Sequence, residues 1–179
     1  MVIGEEILFK IPLIFGKLDN INNQEIVEET LKIHDIQRRV SDDPSHTSYE
    51  DYDVDLFPEF EKVVSNIAND LMGHTGYKEC SLQGWWAHIT EPDQSTDIHA
   101  HNPDDYESTC GFVYYARVPK NAGILKFRWE QPNETTAQLY SITPEEGQYI
   151  VFPRYLSHYV TRNISNEYRV SLSGDFSCF

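Results

Sequence analysis

The stretches "EEGQYIVFPRYLSHYVTRN" (145–163) and "YRVSLSGDF" (168–176) decide how this chain folds. In the first, a glycine turn at Gly147 launches an apolar strand, and a short connection leads to a second strand carrying His158. In the second, Arg169 and Ser171 alternate with Val170 and Leu172. That period of two sets arginine and serine on one strand face and the apolar pair on the other. An arginine on the interior face of a β-sandwich is costly unless an anion meets it, and a serine on the same face can donate to that anion.

Outward from these strands the same alternation recurs. Residues 80–90, 95–101, 109–118, 123–130, 136–142, 147–152, 157–162 and 167–176 read as strands, divided by "EPDQ", "PKNAG", "QPNE", "TPEEG" and "ISNE". Ahead of them lie a strand at 7–15 and a helix at 24–39 that starts near Asn22 or Asn23. The polar segment 40–55 shows no periodicity. A second helix in "LFPEFEKVVSNIANDLMGH" (56–74) carries a stripe of Phe60, Val63, Val64, Ile67 and Leu71, with Asp55 to cap it and Gly73 to end it. About eight short strands after two helices predict a mainly β protein with flanking helices, a jelly roll or related sandwich. The pattern predicts one domain over 1–179, with 1–76 supporting a β core at 77–179.

Composition narrows the partners. The chain has 179 residues, 40% hydrophobic and 13% aromatic, which suits a globular β-rich core. A net charge of −15, with 14 basic residues and no basic run, argues against a nucleic-acid binder. The apolar run near the N-terminus is short and interrupted, so neither a membrane span nor a signal peptide is expected. Cys80, Cys110 and Cys178 are odd in number and lack a C-x-x-C, which predicts free thiols in a reducing, cytoplasmic setting.

Chemistry concentrates in "STDIHAHNPDDYESTCGFVYYARVP" (95–119). His99 and His101, at i and i+2 of a strand, point to one face with Cα atoms roughly 6.6 Å apart and can converge on a shared ion. A metal there needs a further ligand. His34, His46 and His74 fall on helices or loops with ordinary surface roles, whereas His158 sits on an apolar strand. Asp97 shares the strand face of His99 and His101, so it could ligate or accept the far N–H of a ligating histidine. Tyr114 and Tyr115 follow on a strand, so one of them faces inward. His88, in "GWWAHIT", shares a face with Trp86 and Thr90 and reads as either a pocket residue or a satisfied histidine.

The order H-x-[D/E], a distal histidine, then Arg-x-Ser about ten residues later resembles the signature of the 2-oxoglutarate/Fe(II)-dependent oxygenases. The frame "HAHNP…VYYARVP…GILKF…PEEGQYIVFPRYLSHYV…YRVSLS" is similar to their prolyl-hydroxylase-like branch. It is more similar still to little-characterised bacterial and phage members with H-x-H. The likeness covers roughly 85–176. It implies a double-stranded β-helix of the jelly-roll, cupin-like kind, and a dioxygenase that couples decarboxylation of 2-oxoglutarate to oxidation of a C–H bond. It implies Fe(II) held by His99, His101 and His158, with Arg169 and Ser171 on the distal carboxylate of 2-oxoglutarate and Tyr115 beside them. His101 stands where most relatives carry a carboxylate, so the third ligand stays open between His101 and Asp97. Likeness to prolyl hydroxylases favours a peptide or protein side chain as substrate, and a small molecule stays open beside it. Two other readings stay open: a metal-binding jelly roll without turnover, and a three-histidine cupin-type dioxygenase that does not use 2-oxoglutarate. Neither requires an anion clamp at Arg169.

Overall fold

The structure, a computed structural model, describes residues 11–38, 48–49, 56–101, 109–130 and 137–179. Its elements are β1 (Ile14–Lys17), α1 (Asn23–Arg38), β2 (Ser48–Tyr49), α2 (Pro58–Thr75), β3 (Cys80–Thr90), β4 (Thr96–His99), β5 (Cys110–Arg117), β6 (Leu125–Trp129), β7 (Gln138–Ile142), β8 (Gln148–Pro153), β9 (Ser157–Val160) and β10 (Arg169–Cys178). They form two antiparallel sheets, a major one ordered β1-β8-β5-β10-β3-β2 and a minor one ordered β4-β9-β6-β7. This is the double-stranded β-helix.

Central strands β5, β8 and β10 are buried along nearly their whole length, because each sheet face meets a different layer. On one face Phe112, Tyr114, Val170, Leu172 and Phe176 pack against Ile26, Phe60, Val63 and Ile67 of the helices. On the other, Val113, Tyr115, Ile150 and Phe152 meet Leu125, Phe127 and Val160 of the minor sheet. At roughly 1.5–3 kcal/mol for each large apolar side chain buried, both layers contribute heavily to stability. The site lies in the second layer.

The helices follow the expected stripes with different ends. Asn22 Oδ1 accepts the Glu25 backbone N–H at 3.3 Å, starting α1 near the expected asparagines. Helix α2 has Phe57 at its N-cap and Pro58 in its first turn, where a missing N–H costs nothing. The expected Asp55 cap lies outside the described residues, as do 7–10 of the expected first strand and the loop histidine His46. Gly73 does not end α2. The helix runs to Thr75 and stops at Gly76, whose φ of 84° permits the left-handed cap that returns its N–H to Met72. At the β7–β8 turn Gly147 has φ 79°, which a residue with a Cβ would resist.

Two expectations are corrected. Cys80 and Cys178 are not free: they face each other across the antiparallel β3–β10 pair and form a disulfide, with Cα atoms 4.2 Å apart. The odd count hid this pair, since Cys110 alone is free, and buried. Strand 95–101 is also shorter than expected, ending at His99. Among the described residues no helix is long and apolar enough to cross a membrane.

Candidate metal and anion site

Three histidines converge between the sheets. His99 on β4 and His158 on β9 are directly paired across the minor sheet, with ring centroids 4.4 Å apart. The β4–β9 register slips between Thr96 and His99, and this bulge re-aims the strand. Thr96 and His99 are turned inward, while Asp97 and Ile98 are exposed. His101 lies beyond the strand end, held by its backbone N–H to the Arg154 carbonyl at 3.0 Å, and its ring is nearly parallel to that of His99. His101 and His158 are buried, and His99 forms the more open side.

Each imidazole has one nitrogen committed. His99 Nδ1 is 2.8 Å from the backbone oxygen of Asp97, and His158 Nδ1 is 2.9 Å from that of Leu156. His101 Nδ1 is 2.5 Å from a carboxylate oxygen of Asp175. Carbonyl and carboxylate oxygens only accept, so each Nδ1 carries the proton and each Nε2 keeps its lone pair. One donor atom from each of the three lies within 4.8 Å of the others, a group able to hold a metal ion. Burial, then the neighbouring His99, pushes the His158 pKa down to about 3, so its ring is neutral and ready to ligate at pH 7.

The structure does not bring the Asp97 carboxylate to this group. Strict alternation would have placed it beside His99, but the bulge turns it onto the outer face, where it lines a groove with Ile98, Arg128 and Leu139. What reaches His99 is Asp97's backbone carbonyl.

Beside the histidines is a pocket lined by His88, Tyr115, His158, Arg169, Ser171 and Ser173, among others. Strand register assembles it: Arg169 lies opposite Thr90, and Ser171 lies between His88 and Tyr115 on the flanking strands. Of the two tyrosines, Tyr115 faces this pocket, while Tyr114 turns to the helices and donates to Asn23 Oδ1 at 2.5 Å. Burial raises the Tyr115 pKa to about 12, so its hydroxyl keeps its proton.

Arg169 is 1% exposed. Its Nη2 donates to Thr90 Oγ1 at 2.9 Å and its Nη1 to the Ala122 carbonyl at 3.3 Å, yet its Nε is buried without a partner. Burial lowers its pKa, and the guanidinium remains charged. His88 carries a second orphan. Trp86 Nε1 donates to His88 Nε2 at 2.9 Å, so the proton of the neutral ring sits on Nδ1, which is also buried and unpartnered. Burial first, then the charge of Arg169, pushes the His88 pKa down to about 3. Two unused donors on one pocket wall fit an anionic ligand with several oxygens.

Asp175 also reaches the site, and the only sequence signal for it is that it continues the alternation of Arg169 and Ser171 two strand periods further on. His74 closes the last turn of α2, away from the described site.

A jelly roll with three convergent imidazoles beside a buried cationic pocket defines a metal-dependent β-helix protein with a place for an organic anion. Comparison gives the family. Residues 84–175, just over half the chain, match the family described as "Putative 2OG-Fe(II) oxygenase", and the chain belongs to it. Its members are Fe(II)- and 2-oxoglutarate-dependent oxygenases, which use iron and 2-oxoglutarate with O₂. Among curated proteins no sequence matches. Solved structures share the fold. A viral collagen prolyl hydroxylase from Paramecium Bursaria Chlorella virus-1 is 14% identical, with TM-score 0.63 over 99% of this chain and 100% of that one. A Pseudomonas putida prolyl-4-hydroxylase is 15% identical, with TM-score 0.55 over 87% and 80%. A 2OG-Fe(II) oxygenase family oxidoreductase from Burkholderia pseudomallei is 15% identical, with TM-score 0.59 over 92% and 84%.

Proposed function

We propose that this chain is a hydroxylase in which His99, His101 and His158 hold Fe(II) through Nε2 and Arg169 and Ser171 bind the distal carboxylate of 2-oxoglutarate. The observation that carries this reading is the pairing of three committed Nδ1 atoms with the orphan Nε of Arg169. The donor chemistry fits: neutral imidazoles suit a borderline divalent ion, and three protein ligands leave positions for a chelating cosubstrate and O₂. The ion and cosubstrate, when bound, supply the oxidising chemistry.

The protein's own groups do the positioning. Thr90 and Ala122 fix two arms of the Arg169 guanidinium, which leaves Nε as a donor for the ligand. His88 Nδ1 offers a second N–H on the same wall, and Tyr115 a hydroxyl that remains protonated. Phe127 and Phe152 pack against His158, with ring centroids at 5.8 and 4.7 Å, and exclude water from that side. The Arg169 clamp favours this reading over a bare metal module or a dioxygenase that does without 2-oxoglutarate, since neither needs it.

The prime substrate in this reading is a peptide or protein side chain, supported by the likeness in fold to proteins named prolyl hydroxylases. The chain acts as one oxygenase domain over 1–179, with 1–76 supporting the β core; it acts in the cytoplasm, a placement that rests on its need for ferrous iron and no longer on free thiols at Cys80 and Cys178. Supplying Fe(II), O₂ and 2-oxoglutarate should give slow succinate formation even without a prime substrate. Failure to form succinate or to bind 2-oxoglutarate at millimolar concentration would overturn the reading.

A further inference from the structure

Asp175 enters the assignment above only as the acceptor of the His101 Nδ1 proton, yet its surroundings are built around it. It closes the inward series Arg169, Ser171, Ser173 and Asp175 on β10, and its Oδ1 lies 2.5 Å from His101 Nδ1. Its cross-strand neighbours are both glycines, Gly84 on β3 and Gly111 on β5. A Cβ on Gly111 would stand 2.7 Å from His101 Cε1 and 2.8 Å from Nδ1. The His101 ring therefore fills the space of a missing side chain. Trp86 and Phe152 hold it there edge-on, with centroids at 5.0 and 5.4 Å. Because His101 lies past the end of β4, these contacts, not strand geometry, aim its Nε2.

We propose that Asp175 is the relocated carboxylate of this metal centre. It does not bind the ion but fixes the His101 tautomer and lends its negative charge through the imidazole, in a slot that Gly111 keeps open. This rests on His101 being a metal ligand. Three neutral imidazoles leave the charge of a divalent ion uncompensated, and a carboxylate on the far N–H makes an imidazole a stronger donor. His99 and His158 give their Nδ1–H to neutral backbone carbonyls, so among the three only His101 carries an anionic partner. Asp175 is thus a positioning residue that restores, one bond further out, the charge which a direct carboxylate ligand would bring.

The test uses Co(II) as probe, titrated into the metal-free full chain without 2-oxoglutarate against a competing chelator. Asp175→Asn keeps the shape and an acceptor but removes the charge. It should weaken Co(II) binding about 10- to 100-fold and move the d–d bands to lower energy, because the ligand field falls, while the melting temperature of the metal-free protein holds. Gly111→Ala, with Asp175 intact, should weaken binding in the same direction by displacing the His101 ring. Wild-type affinity within twofold and unshifted bands in Asp175→Asn would overturn the proposal. Wild type that binds no Co(II) would instead overturn the metal assignment beneath it.

Discussion

Replacing Arg169 with methionine should abolish tight 2-oxoglutarate binding without harming the fold. The guanidinium is 1% exposed, and two of its arms are held by Thr90 Oγ1 at 2.9 Å and the Ala122 carbonyl at 3.3 Å. Its Nε is buried without a partner. A cation buried in this way carries a desolvation cost that a bound carboxylate would offset. Removing one partner of such a pair costs about 2–5 kcal/mol, a loss in affinity on the order of thirtyfold to several thousandfold. The unliganded protein should behave oppositely. Methionine fills most of the volume and removes the charge, so its thermal midpoint should match or exceed that of wild type. Calorimetric titration of 2-oxoglutarate into Fe(II)-loaded protein under anaerobic conditions reads the first quantity, and a melt of the metal-free protein reads the second. Undiminished affinity would place the clamp elsewhere, and a variant that unfolds would make Arg169 a structural residue.

Other perturbations probe the frame around the site. Asn163 is fully buried in the β9–β10 connection and donates to the carbonyls of Thr90 (2.9 Å) and Glu167 (2.8 Å), so it fixes the step from His158 to Arg169. Asn163→Ala should lower stability by about 1–3 kcal/mol for a carbonyl left unsatisfied, read by urea denaturation. The Cys80–Cys178 bridge closes 98 residues of chain. Cys178→Ser should cost about 2–4 kcal/mol in oxidised protein, and the difference from wild type should vanish under reductant. His88 and His158 both titrate near pH 3 in the fold, whereas an unfolded histidine takes its proton near pH 6.5. Between those values the unfolded chain binds more protons, so metal-free protein should lose stability as pH falls, by up to about 1.4 kcal/mol per pH unit for each ring. Melts taken from pH 7 to pH 4 check the sign.

Much of this architecture was legible because alternation and turn residues are local signals. Strand 80–90 matches β3 from end to end, and Arg169 and Ser171 share the inward face that their spacing requires. Long-range features were less legible. The bulge between Thr96 and His99 turns Asp97 outward, and it arises from pairing with β9, some sixty residues away in the chain. Neither cysteine of the β3–β10 bridge announces its partner, because two strands distant in sequence become neighbours only in the folded sheet. Asp175 was in plain view at the end of "YRVSLSGDF", but only the placement of His101 over Gly111 shows what it meets. Gly73 was the expected end of α2, but the cap depends on a left-handed φ that composition does not reveal, and Gly76 is the glycine that adopts it.

The assignment of His99, His101 and His158 to the ion is tested most directly by anomalous diffraction from crystals grown anaerobically with Fe(II), recorded on both sides of the iron edge. A single peak is expected, bounded by the Nε2 atoms of His99, His101 and His158, with Asp175 outside it on the far nitrogen of His101. A peak ligated by Asp97 or by Asp175 itself, or no peak between the three rings at saturating iron, would contradict it.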